Sequence, residues 1–357
     1  MRIVALALLL LIAGLAYAPV RSASFVYEDA NAIWQHPGVT GHAPIDVTRA
    51  RWLSALSHRV VFTAFGPGPR PTHLANLAIH LVNGGLVYAI AALWVAPAGA
   101  LLAAAVFLLH PLQTEAIAYA ASRSELLSTC CALVAFLIAW HARRWWHVVA
   151  LWTVVLAALC AKESTVVIIP LIALVDVFRG RRLSWWRLSW LAVPAGAMAV
   201  SVLRFDFLTR TTASPLGYLA LQATALWRYM AIVAVPMGQS VDHDFVLVPL
   251  VVQGLAFGAT VLLLALAFGA VWVVWMYRAD LDEHGPWPAG RVACLGLVWA
   301  AVALLPRFAV QIPELLNEHQ MYLPFVGISV ALGAALSAWA TAPHAHLNGT
   351  LGMTSST

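Results

Sequence analysis

Apolar runs follow one another along most of the chain, interrupted by short polar breaks. A helix needs about 20 mostly apolar residues to cross a hydrocarbon core ~30 Å thick. On that measure the pattern predicts ten spans, at about 3–20, 73–95, 97–112, 124–141, 147–161, 165–178, 187–204, 248–276, 292–306 and 321–341. Two long segments, 21–72 and 205–247, mix aromatic and apolar residues with arginine, as in Trp52-Leu53-Ser54-Ala55-Leu56 and Leu219-Ala220-Leu221-Gln222. Such stretches suit short helices lying in the interface plane, and loops this long in a compact domain are more often functional than idle. The expected fold class is all-α: a polytopic helical membrane protein, one membrane domain over 1–341, and a polar, disordered tail at 342–357.

Composition supports the same class. Of 357 residues, 62% are hydrophobic and only 10% charged, against roughly 25% charged in soluble domains. A mostly water-facing surface is excluded, and nothing in the charge pattern points to nucleic acid. Nineteen of the 20 basic residues are arginine, the exception being Lys162. The start of the chain, an apolar run from Ile3 to Leu15 followed by Ala16-Tyr17-Ala18, has the form of a secretory signal. It is also about long enough for a first span, and we read it as an uncleaved helix. With the N-terminus inside, the basic loops carrying Arg143-Arg144 and Arg179, Arg181, Arg182 and Arg187 face the cytoplasm, as the positive-inside rule asks. Arg49, Arg51, Arg59 and Arg70 fall in the long first external segment, where that rule binds less strictly. The cysteines Cys130, Cys131, Cys160 and Cys294 sit inside apolar runs without metal-ligand spacing and read as small buried residues.

Ionisable groups at the edge of the hydrocarbon cost several kcal/mol unless paired or wetted, so their distribution is informative. Here it is one-sided. The external face collects Glu28-Asp29, His73, His110, Glu115, Arg123-Ser124-Glu125, Lys162-Glu163, Arg204, Asp206, Arg228, Asp242-His243-Asp244, Arg307, Glu314 and Glu318-His319. A pump or channel more often places polar groups across the midplane; one-sided clustering implies a cavity opening outward. His73, Asn76, His80 and Asn83 share one helical face, which must look into the bundle or a cavity. Glu28-Asp29 is held near the membrane by Phe25, Val26, Tyr27 and Ile33, and could serve as a general base or hold a divalent cation. Lys162-Glu163 could neutralise each other or offer a phosphate site. None of His36, His42, His58, His73, His80, His110, His243 and His319 has the His-Glu spacing of a zinc helix, so no histidine metal site is expected.

Together these motifs resemble the membrane domain of the GT-C glycosyltransferases, most closely the transmembrane and tetratricopeptide-repeat O-mannosyltransferases and their bacterial relatives. The resemblance is carried by Phe25-Val26-Tyr27-Glu28-Asp29-Ala30, by 73–83, by 110–118 with Ser122-Arg123-Ser124-Glu125-Leu126-Leu127, by Ala161-Lys162-Glu163-Ser164, by 229–236 with 241–244, and by Asn317-Glu318-His319-Gln320-Met321-Tyr322-Leu323-Pro324. It implies a polyprenyl or dolichyl phosphate monosaccharide donor with a mannose-like sugar, and a Ser or Thr hydroxyl acceptor. The site would face the periplasm or exterior, with a bacterial inner membrane the expected location. By position Asp29 would be the base, supported or replaced by Glu28. His73, Arg123, Lys162 and His319 would hold the donor phosphate, with Glu115 and Glu318 orienting them; His110, Glu163, Arg228 and Tyr322 complete the implied substrate site. No cofactor is implied beyond a divalent cation at Glu28/Asp29. The chain departs from the family in having Glu28 rather than aspartate, His319 rather than arginine, and no repeat array after Pro324, the pattern of a minimal or truncated form. A lipid-linked-sugar transporter or flippase and a non-catalytic scaffold are the competing classes.

Overall fold

The computed structural model describes residues 1–142, 144–179, 214–241, 249–276, 287–311 and 314–351, together with Gly196 and His243. The expected span at 187–204, and Arg143, Arg181, Arg182, Arg187, Arg204, Asp206, Asp242 and Asp244, lie outside the described residues.

Every regular element among the described residues is helical. The long apolar runs become α1 (Arg2–Ala16), α4 (Pro69–Ala91), α5 (Pro97–Leu109), α7 (Arg123–His141), α8 (Trp145–Ala161), α9 (Ile168–Phe178), α11 (Leu250–Met276), α12 (Ala289–Ala309) and α13 (Tyr322–Leu351). Between them lie α2 (Pro37–Thr40), α3 (Trp52–Phe65), α6 (Thr114–Ala118) and α10 (Pro215–Ala234). The breaks follow local chemistry. Proline opens α4 and α5 at the first turn, where its missing N–H costs nothing. Ser214 caps α10 by accepting the Gly217 N–H at 3.1 Å, an ordinary N-cap bond. His110-Pro111 ends α5, since a residue before proline is driven out of the helical region.

Five helices among the described residues are long and apolar enough to cross a membrane, six if Pro97–Leu109 and Pro111–Ala118, bent by 51°, form one span. The other apolar segments, Trp145–Ala161, Glu163–Leu174 and Leu250–Leu266, are shorter. Among the described residues, length and hydropathy thus support five or six of the ten expected spans, and two of the remaining runs are short because Lys162-Glu163 breaks the helix between them. At the other extreme α13 carries helical backbone to Leu351, past the point where the sequence suggested a tail.

The core is a bundle in which α13 packs along α12 and α5, α4 packs against α5 and α7, and α7 packs against α8. Small residues set the closest approaches, as expected where helices associate without a hydrophobic drive. A Cβ on Gly296 would collide with the Gly327 carbonyl oxygen, and one on Gly327 with that of Gly296; one on Gly333 would come within 2.6 Å of the Gly99 oxygen. The C-terminal ends of α4 and α7 meet the start of α12 in an aromatic cluster. Trp94 stacks on Trp287 at 5.9 Å, and Arg179 lies 3.7 Å over Trp140. The polar residues lie at the opposite ends of these helices.

Candidate active site at the polar end of the bundle

The segment between α1 and α3 brings the acidic pair to this end. Tyr27 has a left-handed backbone (φ 52°), a conformation that costs a non-glycine residue about 1–3 kcal/mol and often marks function. It turns the next two side chains to opposite surroundings. Glu28 is exposed, whereas Asp29 is fully buried. The Asp29 carboxylate accepts N–H groups from Ala121 at 2.7 Å on Oδ1, and from Val26 at 3.0 Å and Ala120 at 3.4 Å on Oδ2. Burial raises its pKa above the usual carboxylate value, and the three N–H groups pull it partly back. Asp29 thus ties the external segment to the turn that precedes α7. Tyr119 in that turn hydrogen-bonds the Glu28 backbone, and its phenol is pushed well up, first by burial and then by the Glu28 and Asp29 charges.

Arg123, the first residue of α7, is buried with 1% exposure. Its Nε donates to Asn76 Oδ1 at 2.7 Å and Nη2 to the Thr72 carbonyl at 2.8 Å; Nη1 has no partner among the described residues. The expected polar stripe on α4 does face inward: His73, Asn76, His80 and Asn83 are all fully buried. His80 and Asn83 meet the Tyr322 hydroxyl at 2.8 and 3.2 Å, so Tyr322 belongs to an interhelical packing network. His73 lies against Phe25, ring centroids 6.1 Å apart, in the segment leading to the acidic pair.

Lys162 and Glu163 do not neutralise each other. Lys162 forms a buried ion pair with Glu125. Glu163 takes the Arg51 guanidinium, with Nε at 3.0 Å from Oε2. Burial pushes the Glu163 carboxyl up, but the charge and hydrogen bond of Arg51 outweigh it and hold the pKa down at about 2. Arg51 also has a left-handed backbone (φ 60°) and precedes α3. Sequence reasoning noted it only as a loop arginine.

On the far side, His319 binds Glu115 through Nδ1 at 2.6 Å and its backbone N–H at 2.9 Å. Its ring lies 5.9 Å from that of Tyr119, which links this pair to Glu28-Asp29. Glu318 accepts from Gln239 Nε2 and the Ser240 N–H, each at 3.0 Å, and lies 2.9 Å from His243 Nε2. Two candidates stand apart. His110 spends both ring nitrogens, on the Val233 carbonyl at 3.0 Å and the Leu112 N–H at 3.1 Å, leaving none for a phosphate. Arg228 is exposed on α10, its guanidinium over Gly238. No group of three His, Cys, Asp or Glu side chains that could hold a metal occurs among the described residues.

No family model matches the chain, and no solved structure matches it. Part of it is similar to curated proteins. The protein O-mannosyl-transferase Tmtc1 of Drosophila melanogaster is 33% identical over 182 residues, 45% of this chain and 21% of its own length. The protein O-mannosyl-transferase Tmtc2 of the same organism is 30% identical over 192 residues, 46% of this chain and 20% of its own length. The chain thus spans about a fifth of the length of the curated relatives it matches, and over that part it is similar to protein O-mannosyl-transferases.

Proposed function

We propose that this chain is a membrane-embedded glycosyltransferase of the GT-C type. It moves a mannose-like sugar from a polyprenyl or dolichyl phosphate to a hydroxyl, such as a protein Ser or Thr, on the non-cytoplasmic face. The partial likeness to O-mannosyl-transferases supports the reaction class. The observation that carries the reading is the pairing of an exposed Glu28 with a buried, backbone-held Asp29, fastened to the turn that leads into Arg123.

A base must reach the proton it removes. Asp29 offers no accessible surface and already holds three N–H groups, so in this proposal the base is Glu28 and Asp29 positions it. Glu28 takes the acceptor hydroxyl proton as that oxygen forms the new bond to the sugar C1. The bond from C1 to the phosphate oxygen breaks on the opposite face, with inversion, and the phosphate leaves with the electron pair. Cationic N–H groups stabilise the charge that develops there. Lys162 is neutralised by Glu125 and Arg51 by Glu163, and His319 is paired with Glu115, which leaves Arg123, without an ion-pair partner among the described residues, as the phosphate-facing group of this proposal. A divalent cation, if bound, would be held through Glu28, since the Asp29 oxygens are committed to backbone N–H groups.

The test is sugar transfer from a radiolabelled polyprenyl-phosphate mannose to a Ser/Thr peptide by the purified chain. Transfer by wild type, with a drop of about 10²–10⁴-fold in Glu28→Gln, is the expected result for loss of a general base. Wild type without transfer, while building a gradient of lipid-linked sugar across vesicles, would sink the reading in favour of a flippase.

A further inference from the structure

The end of the bundle away from the acidic pair holds charged groups that the proposed reaction does not use. Trp287 packs on Trp94 at 5.9 Å and on Trp140 at 6.2 Å. Arg179 sits 3.7 Å over the Trp140 ring, and Arg291 sits 4.0 Å over that of Trp287. Arg291 is only 7% exposed, yet it makes no hydrogen bond or ion pair among the described residues. Its Nε is sealed off without a partner, whereas Nη1 and Nη2 keep accessible surface. Arg291 stands in the first turn of α12, which carries no acidic residue. The Ala289 and Gly290 N–H groups of that turn have no backbone acceptor among the described residues, the usual state of a helix start. Gly290 is exposed, with open space where a side chain would stand. A buried cation without a counter-charge is strongly destabilising, and the start of a long helix favours negative charge. Both features call for an anion at the same place.

We propose that Arg291 and the first turn of α12 bind a phosphate oxyanion, supplied by the headgroup of an anionic phospholipid. The site is separate from the acidic pair and does not depend on the transferase reading. Because α12 is long and apolar enough to cross a membrane, its first turn falls near the headgroups, where tryptophan is enriched. The Arg291 Nη groups and the first-turn N–H groups donate to the phosphate oxygens. A choline or ethanolamine headgroup fits worse. Its cation would meet Arg291 and Arg179, and the Trp287 and Trp140 rings that could receive it already carry guanidinium groups.

The test is native mass spectrometry of the full chain in detergent, with phosphatidylglycerol, phosphatidylcholine or inorganic phosphate added in turn. The expected result is one phosphatidylglycerol retained per chain, phosphatidylcholine held more weakly, and phosphate unable to displace the lipid. Arg291→Gln should weaken retention about tenfold or more, the order for one charge-assisted bond. Gly290→Asp puts a carboxylate in the same turn, where helices accept aspartate, and should weaken it as much in a chain that folds. Arg144→Gln removes an exposed arginine elsewhere on that end and should leave retention unchanged. Equal loss in Arg144→Gln, or no loss in either Arg291→Gln or Gly290→Asp, overturns the site. Displacement by phosphate, or equal retention of phosphatidylcholine, overturns the choice of occupant. The proposal also fails if wild type retains no phosphatidylglycerol, or retains it only after Asp280→Asn, Asp282→Asn and Glu283→Gln; the latter would assign the counter-charge to the chain itself. Sugar transfer plays no part in this readout, so the proposed function stands or falls separately.

Discussion

At the scale of single residues, two adjacent carboxylates have been given different work by their surroundings. Glu28 keeps its side chain in the open while Asp29 is enclosed by backbone N–H groups. Asp29→Asn replaces one acceptor oxygen by an N–H₂ group that must face N–H donors. Leaving such groups unsatisfied costs about 1–3 kcal/mol each, so thermal unfolding in detergent should show Asp29→Asn clearly destabilised and Glu28→Gln close to wild type. An Asp29→Asn protein that melts like wild type yet transfers no sugar would return the role of base to Asp29. The Lys162–Glu125 pair gives a second contrast, since both side chains are only 7% exposed. Removing one partner of a buried pair typically costs about 3–5 kcal/mol, whereas an apolar replacement of both is often neutral. Lys162→Met should therefore lower stability by that order, and adding Glu125→Leu should restore most of it. A double variant as unstable as the single one would show that the lysine stabilises by other means.

At the scale of elements, α3 is joined to the bundle by the ion pair between Arg51 at its start and Glu163 after α8. The folded pKa of Glu163 is depressed from an ordinary 4.5 to about 2. A depressed carboxylate adds stability that is present above its unfolded pKa and is lost as pH falls toward the folded one. The stability gap between wild type and Glu163→Gln should thus be constant above about pH 5 and close between pH 4.5 and 2. A gap that persists unchanged to low pH would assign the effect to packing. This contact also shows what the sequence could not reveal. Arg51 and Glu163 are 112 positions apart, and Lys162 and Glu125 are 37 apart, so no local spacing marks either pair. Hydrophobic runs located α4, α7 and α12, and the start of α13, to within a few residues because burial in lipid leaves a continuous signature. The periodic stripe of α4 was legible for the same reason. The helices α3 and α10 were only partly legible: their apolar and polar residues are mixed, and helical spacing does not tell an interfacial helix from one docked on the bundle.

At the scale of the whole molecule, the sidedness of the chemistry follows from alternation. His73 and Arg123 stand at the starts of α4 and α7, His110 and Lys162 at the ends of α5 and α8, and Arg307 at the end of α12, just before Glu318. Helices that run alternately up and down bring starts and ends of this kind together, which is why the clustering was readable before the structure was known. Which side of the membrane holds the cluster depends instead on arginine placement in the loops, and it can be measured. Arg49 is 76% exposed at the polar end. Trp145, 71% exposed, begins α8 at the other end. In a variant whose four half-buried cysteines are replaced, Arg49→Cys should react with a membrane-impermeant maleimide in intact cells, and Trp145→Cys only after lysis. The reverse pattern would place Glu28 and Arg123 in the cytoplasm. A translocated acceptor would then be out of reach, and the proposed reaction would have to be rebuilt around a cytoplasmic hydroxyl.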